Sequence, residues 1–162
     1  MKIEYLLISL FLFLSLWLIP KLSFINNSKL SSKEIRVMLC FKYVISILSA
    51  LYIIKYSTTF DYNNYNIEGL AQYDLLLTNP VLFFTDFTID INTYGWGGLL
   101  ASGNSFWAYL RFNLLFKMIA FFNLVSRGNF YFNTLLFSTL TFFGHIAFYR
   151  IFPTFTRVIN TA

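Results

Sequence analysis

Charged residues are scarce in this sequence of 162 residues. Asp, Glu, Lys and Arg make up only 12% of the chain, whereas 57% of it is apolar and 22% aromatic. A water-soluble domain of this size needs far more charge to cover its surface, so the composition excludes an ordinary soluble domain. It predicts an integral membrane protein in which most Phe and Leu side chains face lipid or other helices.

Cysteine and patterned charge are also scarce. The single cysteine, Cys40, lies in an apolar run, which excludes a disulfide framework and a cysteine-based metal cluster. The net charge of +5 comes from scattered residues, so no nucleic-acid partner is expected. The Gly-rich stretch TYGWGGLLASGN lacks the Lys-Ser/Thr of a phosphate loop. We therefore expect neither a metal nor a cofactor.

Four apolar stretches are long enough to cross a membrane, which takes about 20 helical residues. They are roughly residues 3–19, 36–55, 105–125 and 130–152. The first is interpreted as a retained anchor, because it lacks a small-x-small cleavage site. A turn of only four residues joins the last two and predicts an antiparallel helical hairpin. The expected fold is a single all-α membrane domain over residues 1–162, with about four transmembrane helices.

The connections between these stretches differ in charge. Residues 20–35 contain three lysines, whereas residues 56–104 contain five carboxylates and neither Lys nor Arg. Because Lys and Arg accumulate in cytoplasmic loops, the first connection is predicted inside and residues 56–104 outside the inner (cytoplasmic) membrane. With alternating spans, the turn at 126–129 lies inside and both termini lie outside. The external segment contains a helix that ends at Asn79-Pro80 and is apolar enough to lie on the membrane surface.

The third stretch carries two cations. Arg111 and Lys117 would each cost about 2.5–3.5 kcal/mol at the centre of a membrane helix. Lys117 lies close to mid-span and shares a helix face with Asn113, whereas Arg111 is close enough to the outer end for its side chain to reach the surface. Cations at such depth are candidates for binding an anionic headgroup, and for Arg111 an equal alternative is that it only extends to the surface.

The fourth stretch carries a row of polar residues. Thr134, Ser138, Thr141 and His145 follow spacings of four, three and four, so they share one helix face. Folding the predicted hairpin about its turn brings His145 level with Arg111. This predicts a polar face, opening outward, that suits a phosphate or diphosphate. The alternative is structural: such hydroxyls bond to their own helix or join neighbouring helices, and a lone His is often a packing residue.

One stretch resembles a known family. FDYNNYNIEGL resembles the start of the first external loop of multi-span bacterial envelope glycosyltransferases and polysaccharide polymerases, and residues 104–152 resemble the helical hairpin after it, particularly in Bacteroidetes proteins. The resemblance implies a polyprenyl-phosphate-linked sugar as substrate, Asp61 as a catalytic base or substrate anchor, and Arg111 and Lys117 as phosphate partners. Those enzymes have about twice as many spans, so this chain would be a truncated copy, one half of a split enzyme, or a small protein that kept only the N-terminal module.

Three functions remain open from the sequence. The chain is a membrane-embedded module of a lipid-linked-sugar glycosyltransferase or polymerase, a small non-catalytic accessory or structural membrane subunit, or half of a transporter that dimerises around the charged helix. The expected partners are the lipid bilayer, a polyprenyl-phosphate-linked sugar, and other membrane subunits or a second copy of the chain.

Overall fold

The computed structural model describes residues 3–28, 30–56, 61–86 and 106–160. Within these ranges the side chains at 3, 61–63, 106–108 and 152–160 are not described. Every element in the described ranges is a helix, which confirms the predicted all-α class. In chain order they are α1 (Ile3–Leu18), a 3₁₀ turn (Ile19–Lys21), α2 (Ser23–Asn26), α3 (Ser32–Tyr56), α4 (Asp61–Thr78), α5 (Pro80–Thr85), α6 (Phe106–Ser126) and α7 (Phe130–Asn160).

Two stretches are long and apolar enough, by length and composition, to cross a membrane. They are Glu4–Lys21, which covers α1 and the 3₁₀ turn, and Ser32–Tyr56, which is α3. The other two predicted spans correspond to α6 and α7, and their crossing stays a prediction. The chain divides into two compact units: unit 1 comprises Met1–Ser57 and Phe130–Ala162, and unit 2 comprises Thr58–Asn129. The predicted hairpin of α6 and α7 involves one helix from each unit and also stays a prediction.

Local signals in the sequence set several helix ends. At the start of α3 the Ser31 hydroxyl accepts the Glu34 N–H, while the Glu34 carboxylate accepts the Ser31 N–H at 2.7 Å. Asn79 caps α5 by accepting the Leu82 N–H at 3.1 Å, and Pro80 occupies the first helical position. The end of α4 at Thr78 confirms the predicted stop. Gly128, two residues after α6, has φ 82°, in the left-handed region that glycine adopts readily after a helix.

Unit 1 is built on α1, α3 and α7, and in it α3 and α7 run antiparallel. The Lys42 ammonium lies 3.4 Å from His145 Nδ1, and the Ser46 hydroxyl lies 2.8 Å from the Ser138 hydroxyl. Partner numbers therefore fall along α7 as they rise along α3. The apolar core of unit 1 includes Leu39 of α3 and Leu135, Phe142 and Ile146 of α7. The end of α3 and the start of α7 consequently lie at the same end of unit 1.

This direction differs from the topology predicted from the sequence. Four alternating spans require α3 and α7 to run the same way through the membrane, from inside to outside. The structure pairs them in opposite directions, with two hydroxyl pairs and apolar side chains in contact between them. Charge counting and span lengths contain no information about which helices pair, so the sequence could not supply this direction.

In unit 2, α4 packs beside α6 and runs parallel to it. The Tyr65 ring lies 6.0 Å from the rings of both Phe112 and Phe116. One turn further along α4, the Gly69 carbonyl accepts a hydrogen bond from the Asn123 amide at 3.3 Å. Numbers rise together on the two helices, so α4 begins level with the first turns of α6. After α4 ends, α5 turns back and packs against the middle of α6.

Gly69 permits this close approach, which gives the first prediction. A Cβ atom at position 69 would lie 2.8 Å from Ile119 Cβ and closer still to its Cγ2. Gly69→Ala is therefore expected to destabilise the protein by about 1–3 kcal/mol through overpacking. The measurement is thermal unfolding of the purified protein in detergent.

The matched control is Gly144→Ala in α7, where an added Cβ has nothing within 4 Å. It should be neutral or stabilising, because Ala is a better helix former than Gly by about 1 kcal/mol. Equal unfolding temperatures for the two variants would contradict the close packing of α4 on α6.

Candidate functional site

Lys117 is buried in unit 2 and holds the end of α5. Its side chain is 6% exposed. Its ammonium donates hydrogen bonds to the carbonyl oxygens of Phe83 and, at 2.8 Å, of Asp86. The last carbonyls of a helix have no partner within the helix and carry the negative end of its dipole. Lys117 therefore caps the C-terminus of α5.

The surroundings of Lys117 are aromatic and acidic. Its Nζ lies 5.2 Å from the centre of the Phe83 ring, and the Phe83 and Phe121 rings form a T-shaped pair with centres 5.6 Å apart. The Asp86 carboxylate adds an attractive electrostatic interaction with the ammonium. These partners explain how a cation is tolerated among apolar residues. An anionic ligand at Lys117 would have to compete with the backbone of α5.

Arg111 and Asn113 precede Lys117 on α6 in different settings. Arg111 is exposed, and its guanidinium lies over the Phe112 ring, 4.9 Å from its centre. Asn113 is half-buried, and its Oδ1 atom is buried with no hydrogen-bond partner among the described residues. Asp61 is the first residue of α4, and its side chain lies outside the described part. By the register of Tyr65 with Phe112 and Phe116, Asp61 and Arg111 lie at the same end of unit 2.

The predicted polar row on α7 lies in unit 1, where its hydroxyls have protein partners. Thr134 donates to the Phe130 carbonyl at 2.9 Å and Thr141 to the Ser138 carbonyl at 3.0 Å. Ser138 is buried and accepts a hydrogen bond from Ser46 at 2.8 Å. This arrangement agrees with the structural alternative, in which such hydroxyls bond to their own helix or join a neighbouring one.

The row predicted from the sequence lacks Thr139 of α7 and the residues that α3 contributes to this contact. The Tyr43 and Thr139 hydroxyls lie 2.8 Å apart, and the Ser46–Ser138 pair follows one turn along. We call these four residues the α3–α7 polar seam. The available signal was the spacing of three between Tyr43 and Ser46, which places two hydroxyls near one face of an otherwise apolar helix.

His145 lies just beyond the seam, beside Lys42. Its Nδ1 atom is 2.6 Å from the Thr141 carbonyl oxygen. A carbonyl oxygen only accepts, so this nitrogen is assigned the proton. The Lys42 Nζ is 3.4 Å from the same nitrogen. A nitrogen that donates its proton cannot also accept from an ammonium, so this contact does not satisfy Lys42.

The predicted site residues thus belong to two units. Arg111, Asn113 and Lys117 lie in unit 2, and Thr134, Ser138, Thr141 and His145 lie in unit 1. A common anion site made from both sets stays a prediction. Within unit 2 the two cations have different environments, because Lys117 is buried against α5 while Arg111 is exposed.

The chain matches no family model, no curated protein and no solved structure. The geometry of the two units therefore carries the functional argument.

The role of Lys117 gives the second prediction. Lys117→Met removes the donors that hold the Phe83 and Asp86 carbonyls, so α5 should open more often. Backbone amide exchange in residues 80–86 should accelerate about tenfold or more, because leaving buried carbonyls unpaired costs about 1–3 kcal/mol. Hydrogen exchange read by mass spectrometry measures this.

Arg111→Met is the matched control, since it removes a cation from the same helix without touching α5. It should leave exchange in residues 80–86 unchanged. If both variants exchange like the wild type in this segment, Lys117 does not hold α5.

Proposed function

We propose that the chain is a multi-pass protein of the cytoplasmic membrane in which α1, α3 and α7 cross the bilayer as one unit. The apolar stretches Glu4–Lys21 and Ser32–Tyr56 support two of the crossings. The third is supported by the packing of α7 along α3, since helices that pack side by side share one environment. Polar residues lower the hydropathy of α7, but several of them face α3 rather than lipid.

The charge distribution supports an orientation for this unit. The Arg150 guanidinium donates to the Phe24 carbonyl at 3.3 Å, so the last turns of α7 lie beside the connection between α1 and α3. Lys21, Lys33 and Arg36 are exposed at this same end. An accumulation of Lys and Arg favours the cytoplasmic side. The antiparallel pairing places these four basic residues at one end of unit 1. Four alternating spans would instead place Arg150 on the opposite side of the membrane from the other three.

In this orientation the end of α3 and the start of α7 are both on the outer side. Residues 57–129, which connect them, therefore begin and end outside. If α6 crossed toward the outer start of α7, the parallel α4 would have to begin inside. The end of α3 is outside, and only residues 57–60 separate it from α4. Such a link reaches about 18 Å, less than the hydrocarbon thickness of about 30 Å. We therefore propose that α6 does not cross, so Arg111 and Lys117 avoid the cost of the bilayer centre.

Within this topology the function that we propose is that of a non-catalytic accessory or structural membrane subunit. The observation that carries it is the bonding of the α3–α7 polar seam. Its four hydroxyls bond to one another or to their own helices, as in residues that join helices. Lys117 has a comparable role in unit 2, where it holds α5.

A second candidate is the module of a lipid-linked-sugar glycosyltransferase or polysaccharide polymerase. The observation that favours it is the placement of Asp61 and Arg111 at one end of unit 2. The Asp61 carboxylate suits a general base or a substrate anchor. The exposed Arg111 guanidinium suits a contact with a phosphate. On this view, a polyprenyl-phosphate-linked sugar is the substrate.

Complementation separates the two functions. In a strain that lacks this chain and makes less envelope glycan, Asp61→Asn and Arg111→Gln should each restore glycan output to the wild-type level, because an accessory subunit needs neither group for chemistry. Glycan output is measured at matched protein level in the membrane. A loss of about a hundredfold or more with Asp61→Asn, as expected for a general base, would contradict the accessory role and support the glycosyltransferase module.

Asp74→Asn is the control for the acidic substitution, because Asp74 is an exposed carboxylate near the other end of α4. It should behave as the wild type under either function.

A further inference from the structure

Lys42 is a cation inside the proposed membrane unit, and the described part of that unit gives it no counter-ion. Its contact with His145 Nδ1 leaves the ammonium without an acceptor, because that nitrogen donates to Thr141. The carboxylates described in unit 1 are those of Glu4 and Glu34. Glu34 accepts two hydrogen bonds from Ser31 at the start of α3, and Glu4 lies in the first turn of α1, at the other end of the unit.

The position of Lys42 is also reachable from outside the unit. Its side chain is partly exposed, and His145 beside it is exposed on α7. A charged group in a membrane helix is costly, and such groups pair with one another or with polar partners. The partly exposed Lys42 side chain therefore marks a contact surface that a partner with negative charge would complete.

We infer that Lys42, beside His145, binds a carboxylate on a membrane helix of a partner protein. This inference rests on the proposed role as an accessory membrane subunit and names the chemistry of the partner. An interhelical ion pair at this depth supplies both affinity and register, because only one rotation and one depth of the partner helix bring the carboxylate to the ammonium.

Depth favours a helix-borne carboxylate over a lipid phosphate. Lys42 lies six residues after Arg36, or about 9 Å further along α3. Arg36 and Arg150 are exposed at the basic end of the unit, at the level where lipid headgroups lie. A lysine at this depth is long enough to reach the headgroups, but the Lys42 ammonium instead lies 3.4 Å from His145 Nδ1. That nitrogen is hydrogen-bonded to the Thr141 carbonyl, one turn further from the basic end. A phosphate would have to enter the hydrocarbon layer to reach it, whereas a helix carries a carboxylate to any depth.

A second copy of this chain does not fit as the partner. In the described residues of unit 1, α3 and α7 have no carboxylate beyond the first turn of α3. A copy packed against this surface would bring lysine and histidine to the same depth, and like charges repel. A second copy that presents its own α3 and α7 thus supplies no carboxylate here, and the partner that we infer is a different membrane protein.

The test uses a synthetic membrane helix of Leu and Ala with one Glu about six residues from one end, the depth of Lys42, reconstituted with the full chain in zwitterionic vesicles. Association is measured by fluorescence energy transfer between a label on the synthetic helix and a label on the chain. The Glu helix is expected to bind about tenfold more tightly than the same helix with Gln, the ratio for about 1.4 kcal/mol of interhelical polar contact. Moving the Glu by two turns should remove this preference.

Variants of the chain locate the contact. Lys42→Met should abolish the preference for Glu over Gln, whereas Lys42→Arg should keep it. Lys55→Met is the matched control, since Lys55 is an exposed lysine in the last turn of the same helix, and it should also keep the preference. Correct insertion of each variant is checked by resistance of the membrane-bound protein to alkaline extraction.

Equal binding of the Glu and Gln helices by the wild-type chain would overturn the inference, as would a preference that survives Lys42→Met. If anionic lipid in the vesicles displaces the Glu helix, and Lys42→Met abolishes that displacement, the ligand is a lipid headgroup and the inference is wrong. Any of these results leaves the accessory role intact, because complementation by the Asp61 and Arg111 variants tests that role separately.

Discussion

The pairing of α3 with α7 is the contact on which the proposed organisation depends. Two hydroxyl pairs, Tyr43 with Thr139 and Ser46 with Ser138, join the helices over an apolar core. Away from water a hydroxyl that loses its partner is costly, so these pairs fix the direction and register of the two helices more sharply than apolar contacts alone. Because the two helices are antiparallel, the basic residues lie at one end of unit 1. For the same reason, residues 57–129 are proposed to begin and end on the same side of the membrane.

The two cations that make α6 unusual have separate physical explanations. Lys117 is used within unit 2, where it satisfies the carbonyls at the end of α5 and lies against the Phe83 ring. Arg111 is exposed and rests on Phe112. Lys42 on α3 is a cation for which the described residues of unit 1 supply no counter-ion. Lys42 on α3, rather than a cation of α6, is thus the one that we infer to bind a partner.

Much of the secondary structure was predictable from local signals, and the tertiary pairing was not. Gly128 and Asn79-Pro80 act within a few residues, so the end of α6 and the break between α4 and α5 could be predicted from the sequence. The partner of Lys117 comes from residues 83 and 86, more than 30 positions away, and no periodicity points to them. Ser138 on α7 was found by spacing, but Thr139 beside it was not, and Tyr43 and Ser46 opposite them lie in an apolar run.

The most direct test of the antiparallel arrangement is cysteine labelling from outside intact cells. Cys40→Ser provides a cysteine-free chain, and single cysteines then replace Asn27, in the connection before α3, and Asn129, before α7. A membrane-impermeant thiol reagent should label the cysteine at 129 in intact cells and the one at 27 only after permeabilisation. Labelling of both positions from the same side would contradict the pairing of α3 and α7 as antiparallel membrane helices.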